Sequence, residues 1–118
     1  MKIFLDTSSL IKLYVNEKGT SDIDKIFTNN VITEIFVSGV TKIEFHSAIY
    51  KKLRTKDLSS QNAEVILKAF VVVEQNFKFI LIDSDIINTS QMFVKKYGAA
   101  GLRTLDAIQL ASAYSFEI

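Results

Sequence analysis

The sequence predicts an α/β domain, a central parallel sheet covered by helices, and three observations carry that expectation. Runs of β-forming residues recur at 3–5, near 35–38 and at 79–82. The stretches between them are long and carry apolar residues at helical spacing, and connections of that length suit parallel pairing, since antiparallel neighbours need only a short turn. The first and third runs are apolar without alternation, the pattern of strands buried on both faces.

The first run, Ile3-Phe4-Leu5, ends abruptly in the carboxylate of Asp6. That places an acid outside the carboxyl end of a strand, where open α/β sheets bind ligands. Thr7, Ser8 and Ser9 offer N-cap hydroxyls for a helix carrying Leu10, Ile11, Leu13, Tyr14 and Val15. Taken alone, Asp6 reads equally as a helix cap and as a site residue. A turn at 16–19 leads into a short helix capped by Ser21, with Ile23, Ile26 and Phe27 on it and Asn29-Asn30 at its end. The β-rich stretch 31–40 holds the second strand. Thr41-Lys42-Ile43-Glu44 reads as a capping box opening a helix on which Phe45, Ala48, Ile49 and Leu53 share a face, ending near Arg54. Ser59-Ser60 begins another helix, with Ala63, Ile66, Leu67, Phe70, Val73 and Phe77 at core spacing. Beyond the third strand, Asp83-Ser84 caps a helix with Ile86, Ile87, Phe93, Val94 and Tyr97 inward, and Gly98 stops it.

The last helix, 102–114, is apolar nearly all round through Leu105, Ala107, Ile108, Leu110, Ala111 and Ala113, which predicts burial, yet it carries Asp106. Burying an unpaired charge costs several kcal/mol, against the roughly 1 kcal/mol a helix dipole returns. Asp106 therefore needs a cation or a water-filled cleft.

A chain of 118 residues is long enough for one core and one domain. Hydrophobic residues make up 48%, but no apolar run approaches the roughly 20 residues of a membrane span, and no secretory leader pattern opens the chain. A cytoplasmic protein with no membrane partner is expected. The absence of cysteine excludes disulfides, thiolate zinc sites and cysteine nucleophiles, and a single histidine excludes a histidine-rich metal site. Any metal must be held by oxygen. With 14 Lys+Arg against 13 Asp+Glu, the net charge of +1 supplies no global field for a polyanion, so a nucleic-acid role needs local patches.

Three acids thus stand at comparable places: Asp6 after a strand, and Glu44 and Asp106 each in a first helical turn. Carboxylates converging in a cleft repel one another unless a divalent cation neutralises them. Oxygen donors alone point to Mg²⁺ or Mn²⁺, which keep several waters and bind through a few carboxylates and a substrate phosphate. Such a site suits phosphodiester hydrolysis by an activated water.

The segments MKIFLDTSSLIKLY, VTKIEFHSAIYKKL and GLRTLDAIQLASAY resemble, in order and spacing, the three acidic motifs of PIN-domain ribonucleases. The short chain is similar in length to VapC-type toxins of bacterial and archaeal toxin-antitoxin pairs. The resemblance covers nearly the whole chain. It implies a three-layer α/β/α fold with strand order 3-2-1-4-5, and a Mg²⁺- or Mn²⁺-dependent endoribonuclease that hydrolyses RNA. It further implies Asp6, Glu44 and Asp106 as the metal-binding catalytic acids, Ser8 as a hydroxyl beside the first, an antitoxin partner and a homodimer. One departure stands out. The family usually has, after the third motif, a further strand ending in a Thr/Ser-x-Asp-like segment that brings a fourth acid, whereas this chain stops at Phe116-Glu117-Ile118. The expectation is a single domain at 1–118 lacking its last strand or strands, with the first strand's edge and Tyr114, Phe116 and Ile118 open to self-association. The alternative function is a catalytically inactive binding module that engages an antitoxin or sister subunit.

Other candidates have plainer readings. Asp83 and Asp85 lie after the third strand, about 10 Å from the first in the implied order, and Asp83 is read as a cap rather than a replacement acid. His46 lies two residues beyond Glu44 and off its face, so it is read as a surface or partly buried side chain. Lys51, Lys52, Arg54 and Lys56 form the densest basic cluster, equally an RNA-phosphate contact and a solvated helix end. Arg103, one turn before Asp106, contacts a substrate phosphate or pairs with an acid.

Overall fold

The computed structural model describes residues 1–116, with only the backbone of Phe116. The sheet is built from β1 (Lys2–Phe4), β2 (Glu34–Ser38) and β3 (Phe77–Ile80), all parallel, in the order β1-β2-β3. Read from β3, this is the 3-2-1 half of the expected order. Two helices fill each crossover: α1 (Thr7–Ile11) and α2 (Thr20–Asn29) join β1 to β2, and α3 (Thr41–Arg54) and α4 (Ser60–Val73) join β2 to β3. α5 (Ser84–Tyr97) and α6 (Thr104–Phe116) follow β3.

The main core lies where α1, α3 and α4 meet the sheet. Leu10, Val37, Phe45, Ile49 and Phe70 are fully buried there, and Phe45 stacks on Phe70 at 4.1 Å between ring centroids. α5 and α6 pack on each other, and α6 also packs on β2. Ala107 and Ala111 give α6 a small-residue face that lets it approach closely, and both are fully buried. The result is the α/β/α layering that the helical crossovers predict. At one end of the sheet a single carboxylate ties all three strands: Lys78 Nζ lies 2.6 Å from Glu34 Oε1, and Lys2 Nζ lies 3.2 Å from Oε2, the latter without hydrogen-bond alignment. Among the described residues no helix is long and apolar enough to cross a membrane.

Several element boundaries differ from expectation for local reasons. α1 is only five residues long, because Lys12, Leu13 and Tyr14 bond back three residues and tighten its last turn. α2 is capped not by Ser21 but by Gly19, whose φ of 95° favours a residue without a side chain. Phe77 belongs to β3 rather than to α4, since a 3₁₀ turn at Glu74–Asn76 ends the helix first. β3 stops at Ile80, the partner of the last β2 residue, so Leu81 has no strand beside it and is 76% exposed. Gly98 keeps helical dihedrals, and the left-handed stop comes at Gly101, with φ of 109°. On α5, Ile86, Ser90 and Phe93 turn inward while Ile87, Val94 and Tyr97 are exposed. α6 is buried on one face only, with Leu105, Leu110 and Tyr114 exposed. The expected share of Phe116 and Ile118 in an apolar patch lies outside the described residues.

Candidate active site

Asp6 occupies the end of β1 and the start of α1 at once. Its backbone stays extended, and Oδ1 accepts hydrogen bonds from the Ser9 backbone N–H at 2.9 Å and the Ser8 hydroxyl at 3.2 Å. Asp6 thus caps α1, and its carboxylate is exposed and lines a cleft of about 390 Å³. Asp106, in the first turn of α6, lines the same cleft together with Ser9 and Gln109. It resolves its burial problem by facing open space. Glu44, Arg103 and Asp106 line an adjoining cleft of about 630 Å³. Asp106 is thus common to both clefts, while Asp6 and Glu44 each share one with it. Among the described residues, no three acidic or histidine side chains form a group that holds a metal ion directly.

Glu44 behaves differently from expectation. α3 begins after Val40, which already has helical dihedrals, so no side chain caps the helix and the capping box does not form. Thr41 is instead fully buried, and its hydroxyl and the Glu44 carboxylate turn toward better partners. Glu44 Oε1 accepts from the Thr7 hydroxyl at 2.8 Å and from Gln109 Nε2 at 2.8 Å. Gln109 Nε2 also donates to Thr41 Oγ1 at 3.0 Å, and the two threonine hydroxyls lie 3.1 Å apart. Gln109 and Thr7 are site residues that reading the sequence missed. The signal for Gln109 was present: an amide in the most apolar helix needs partners as Asp106 does, and a spacing of three places it on the same face.

The remaining candidates are placed plainly. The Ser8 hydroxyl donates to Asp6 Oδ1. Arg103 forms no ion pair among the described residues and stands beside Asp106 in the second cleft. Lys51, Lys52 and Arg54 sit seven to ten residues along α3 from Glu44, roughly 10–15 Å away at the helical rise, and Lys52 is tied to Glu17 at 3.0 Å. His46 is partly buried, with Nδ1 2.8 Å from the Lys42 carbonyl and its ring against Phe45 and Phe70. Asp83 caps α5 by accepting from the Ile86 N–H at 2.9 Å.

The donor set suits a hard cation that keeps much of its water. Mg²⁺ commonly takes one or two carboxylates and several waters, and Asp6 and Asp106 face one open cleft. Glu44, with one oxygen already engaged, stands a cleft away.

Comparison with known proteins bears first on the fold. The structure of FitAcB from Neisseria gonorrhoeae is similar to this chain, with a TM-score of 0.77 at 12% identity over 100% of this chain and 84% of that one. No curated protein matches the chain at a significant level. The family model described as "PIN domain" matches residues 3–118. With only Met1 and Lys2 outside that match, the chain belongs to the PIN-domain family, whose members are generally nucleases that use divalent metal ions.

Proposed function

We propose that the chain is a Mg²⁺- or Mn²⁺-dependent endoribonuclease of the VapC-like toxin type, hydrolysing RNA phosphodiester bonds with Asp6, Glu44 and Asp106. The observation that carries this reading is the open cleft lined by both Asp6 and Asp106, with Glu44 and Asp106 both lining the adjoining one. These acids come from segments distant in sequence, which Gln109 ties together through Thr7, Thr41 and Glu44. A bound divalent ion supplies an activated water and offsets charge developing on the phosphate.

The chain's own residues do the rest. Ser8 and Ser9 hold Asp6 in one orientation through two hydrogen bonds. Asp106, on the rim of both clefts, is the acid that links them. Arg103 beside it is available to a substrate phosphate, to which a guanidinium binds in a two-pronged fashion. Lys51, Lys52 and Arg54 neutralise phosphates farther along the RNA, giving salt-dependent affinity. The three motif segments support a cytoplasmic toxin paired with a small antitoxin protein and acting as a homodimer.

The reading is tested by incubating purified protein with single-stranded RNA in Mg²⁺. Cleavage that stops in EDTA and is lost in a folded Asp106→Asn variant supports it, and cleavage that survives chelation refutes it. The second reading, an inactive binding module, is favoured by Glu44 Oε1 being already engaged. RNA left intact in Mg²⁺ and Mn²⁺, with antitoxin binding retained, would select it.

A further inference from the structure

We infer that Gln109 is a positioning residue for the acidic site: with Thr7 and Thr41 it fixes one oxygen of Glu44 and leaves the other for the cleft. This rests on the metal-dependent reading above and names a side chain that the three acids alone do not include.

The hydrogen-bond accounting is tight. Gln109 Nε2 lies 2.8 Å from Glu44 Oε1, 3.0 Å from Thr41 Oγ1 and 3.1 Å from Thr7 Oγ1. Thr7 donates its one proton to Glu44 Oε1, so the proton shared between the hydroxyls comes from Thr41. The two amide protons of Gln109 then serve Glu44 Oε1 and Thr41 Oγ1. Every donor is used, and Glu44 only accepts. Turning the amide over would set its carbonyl oxygen against a carboxylate oxygen, so the network selects the amide orientation.

That orientation has a cost. Gln109 Oε1 is buried without a hydrogen-bond partner among the described residues. An unsatisfied buried carbonyl is unfavourable, and an apolar residue at 109 would avoid it. What offsets it lies on the Nε2 side, where one amide joins the start of α1, the start of α3 and the helix bearing Asp106. No described residue donates to Glu44 Oε2, and Glu44 lines the cleft it shares with Asp106. Gln109, three residues from Asp106, lines the cleft that holds Asp6 and Asp106. The cluster therefore stands behind all three acids and sets the bearing of one of them.

The test is a calorimetric titration of the full chain with Mn²⁺, run beside denaturant melts, for wild type, Gln109→Met, Thr7→Val, Thr7→Ser and Asp106→Asn. Partners of metal ligands typically change metal affinity 10–100-fold when removed. Gln109→Met and Thr7→Val should bind Mn²⁺ about tenfold more weakly with melts close to wild type, and Thr7→Ser, which keeps the hydroxyl, should bind normally. Asp106→Asn weakened while Gln109→Met and Thr7→Val bind as wild type overturns the positioning role and leaves the metal reading standing. Unchanged affinity in Asp106→Asn overturns the metal reading itself and this inference with it. Should Gln109→Met fail to fold, the comparison of Thr7→Val with Thr7→Ser decides, and equal weakening in both overturns the role.

Discussion

Asp6 caps α1 and, in the proposed function, binds the cation, and one pair of substitutions separates the two roles. As the N-cap of α1 it accepts from the Ser9 N–H at 2.9 Å and from the Ser8 hydroxyl at 3.2 Å, both on Oδ1. Asparagine keeps a carbonyl oxygen at that position and caps helices as well as aspartate, so Asp6→Asn should change stability by no more than about 0.5 kcal/mol. Alanine removes the acceptor and should cost about 1 kcal/mol, toward the low end of the cap range because the site is exposed and water replaces the lost partner. With a urea slope of roughly 1–3 kcal/mol/M, that is a fall in midpoint of roughly 0.3–1 M. Cation binding should not distinguish the two variants. Both variants lose the charge facing the cleft, so both should bind Mn²⁺ at least tenfold more weakly, a loss of about 1.4 kcal/mol. Urea melts followed by circular dichroism and Mn²⁺ titration on the same samples measure the two effects. An Asp6→Asn protein that binds Mn²⁺ like wild type, or an Asp6→Ala protein as stable as Asp6→Asn, would refute the dual role.

Other consequences can be measured independently. Phe45 is fully buried between Phe70, stacked at 4.1 Å, and Tyr14, edge-on at 5.2 Å, so Phe45→Ala should cost about 3–5 kcal/mol in urea melts, a large part of a domain's usual 5–15 kcal/mol. Gly101→Ala places a side chain at φ of 109° with nothing nearby and should lose about 1–2 kcal/mol from the backbone alone, while Gly98→Ala, already helical, should be neutral or gain about 0.4–1 kcal/mol. The hydrogen bond from Lys78, and secondarily the contact with Lys2, lowers the Glu34 carboxyl below its usual value of 4.5. Its stabilisation is then present above about pH 4.5 and lost as pH falls through the lowered value, so the stability gap between wild type and Glu34→Gln should close on acidification in melts from pH 6 to pH 3. Burial, and then the charge of Glu74, raises the Tyr14 phenol above 10.0. Stability from the neutral phenol should therefore hold below about pH 10 and fall above it, and Tyr14→Phe should flatten that alkaline loss.

What the sequence made legible, and what it hid, follows from the range of the interactions involved. Strands and helices follow local periodicity, so the three parallel strands and the helical crossovers were readable from apolar spacing alone. Asp6 and Asp106 were readable because a carboxylate closing an apolar strand or riding an apolar helix conflicts with its surroundings. Glu44 was singled out for its placement, but its environment was not readable. Its partners Thr7 and Gln109 lie 37 and 65 residues away, and the Thr41–Glu44 spacing matched a capping box that the helical dihedrals of Val40 prevent. β3 was displaced toward its apolar end because the strand's limits depend on the partner strand: pairing with β2 runs from Ile35 opposite Phe77 to Ser38 opposite Ile80. The one-sided burial of α6 was hidden for a similar reason. Its alanine face and its leucine face look alike in hydrophobicity, and only packing distinguishes the face small enough to lie against β2.

Asp6 and Asp106, 100 residues apart in sequence, line one cleft, and the proposed function makes them one cation site. A double-mutant cycle for Mn²⁺ affinity tests it most directly, using wild type, Asp6→Asn, Asp106→Asn and the double variant in one buffer. If the acids act together, each single substitution removes most of the binding and the double variant binds little more weakly than the worse single one, a coupling of about 1 kcal/mol or more. A Mn²⁺ site of wild-type affinity retained in each single variant and lost only in the double variant would contradict this and place the carboxylates in separate sites.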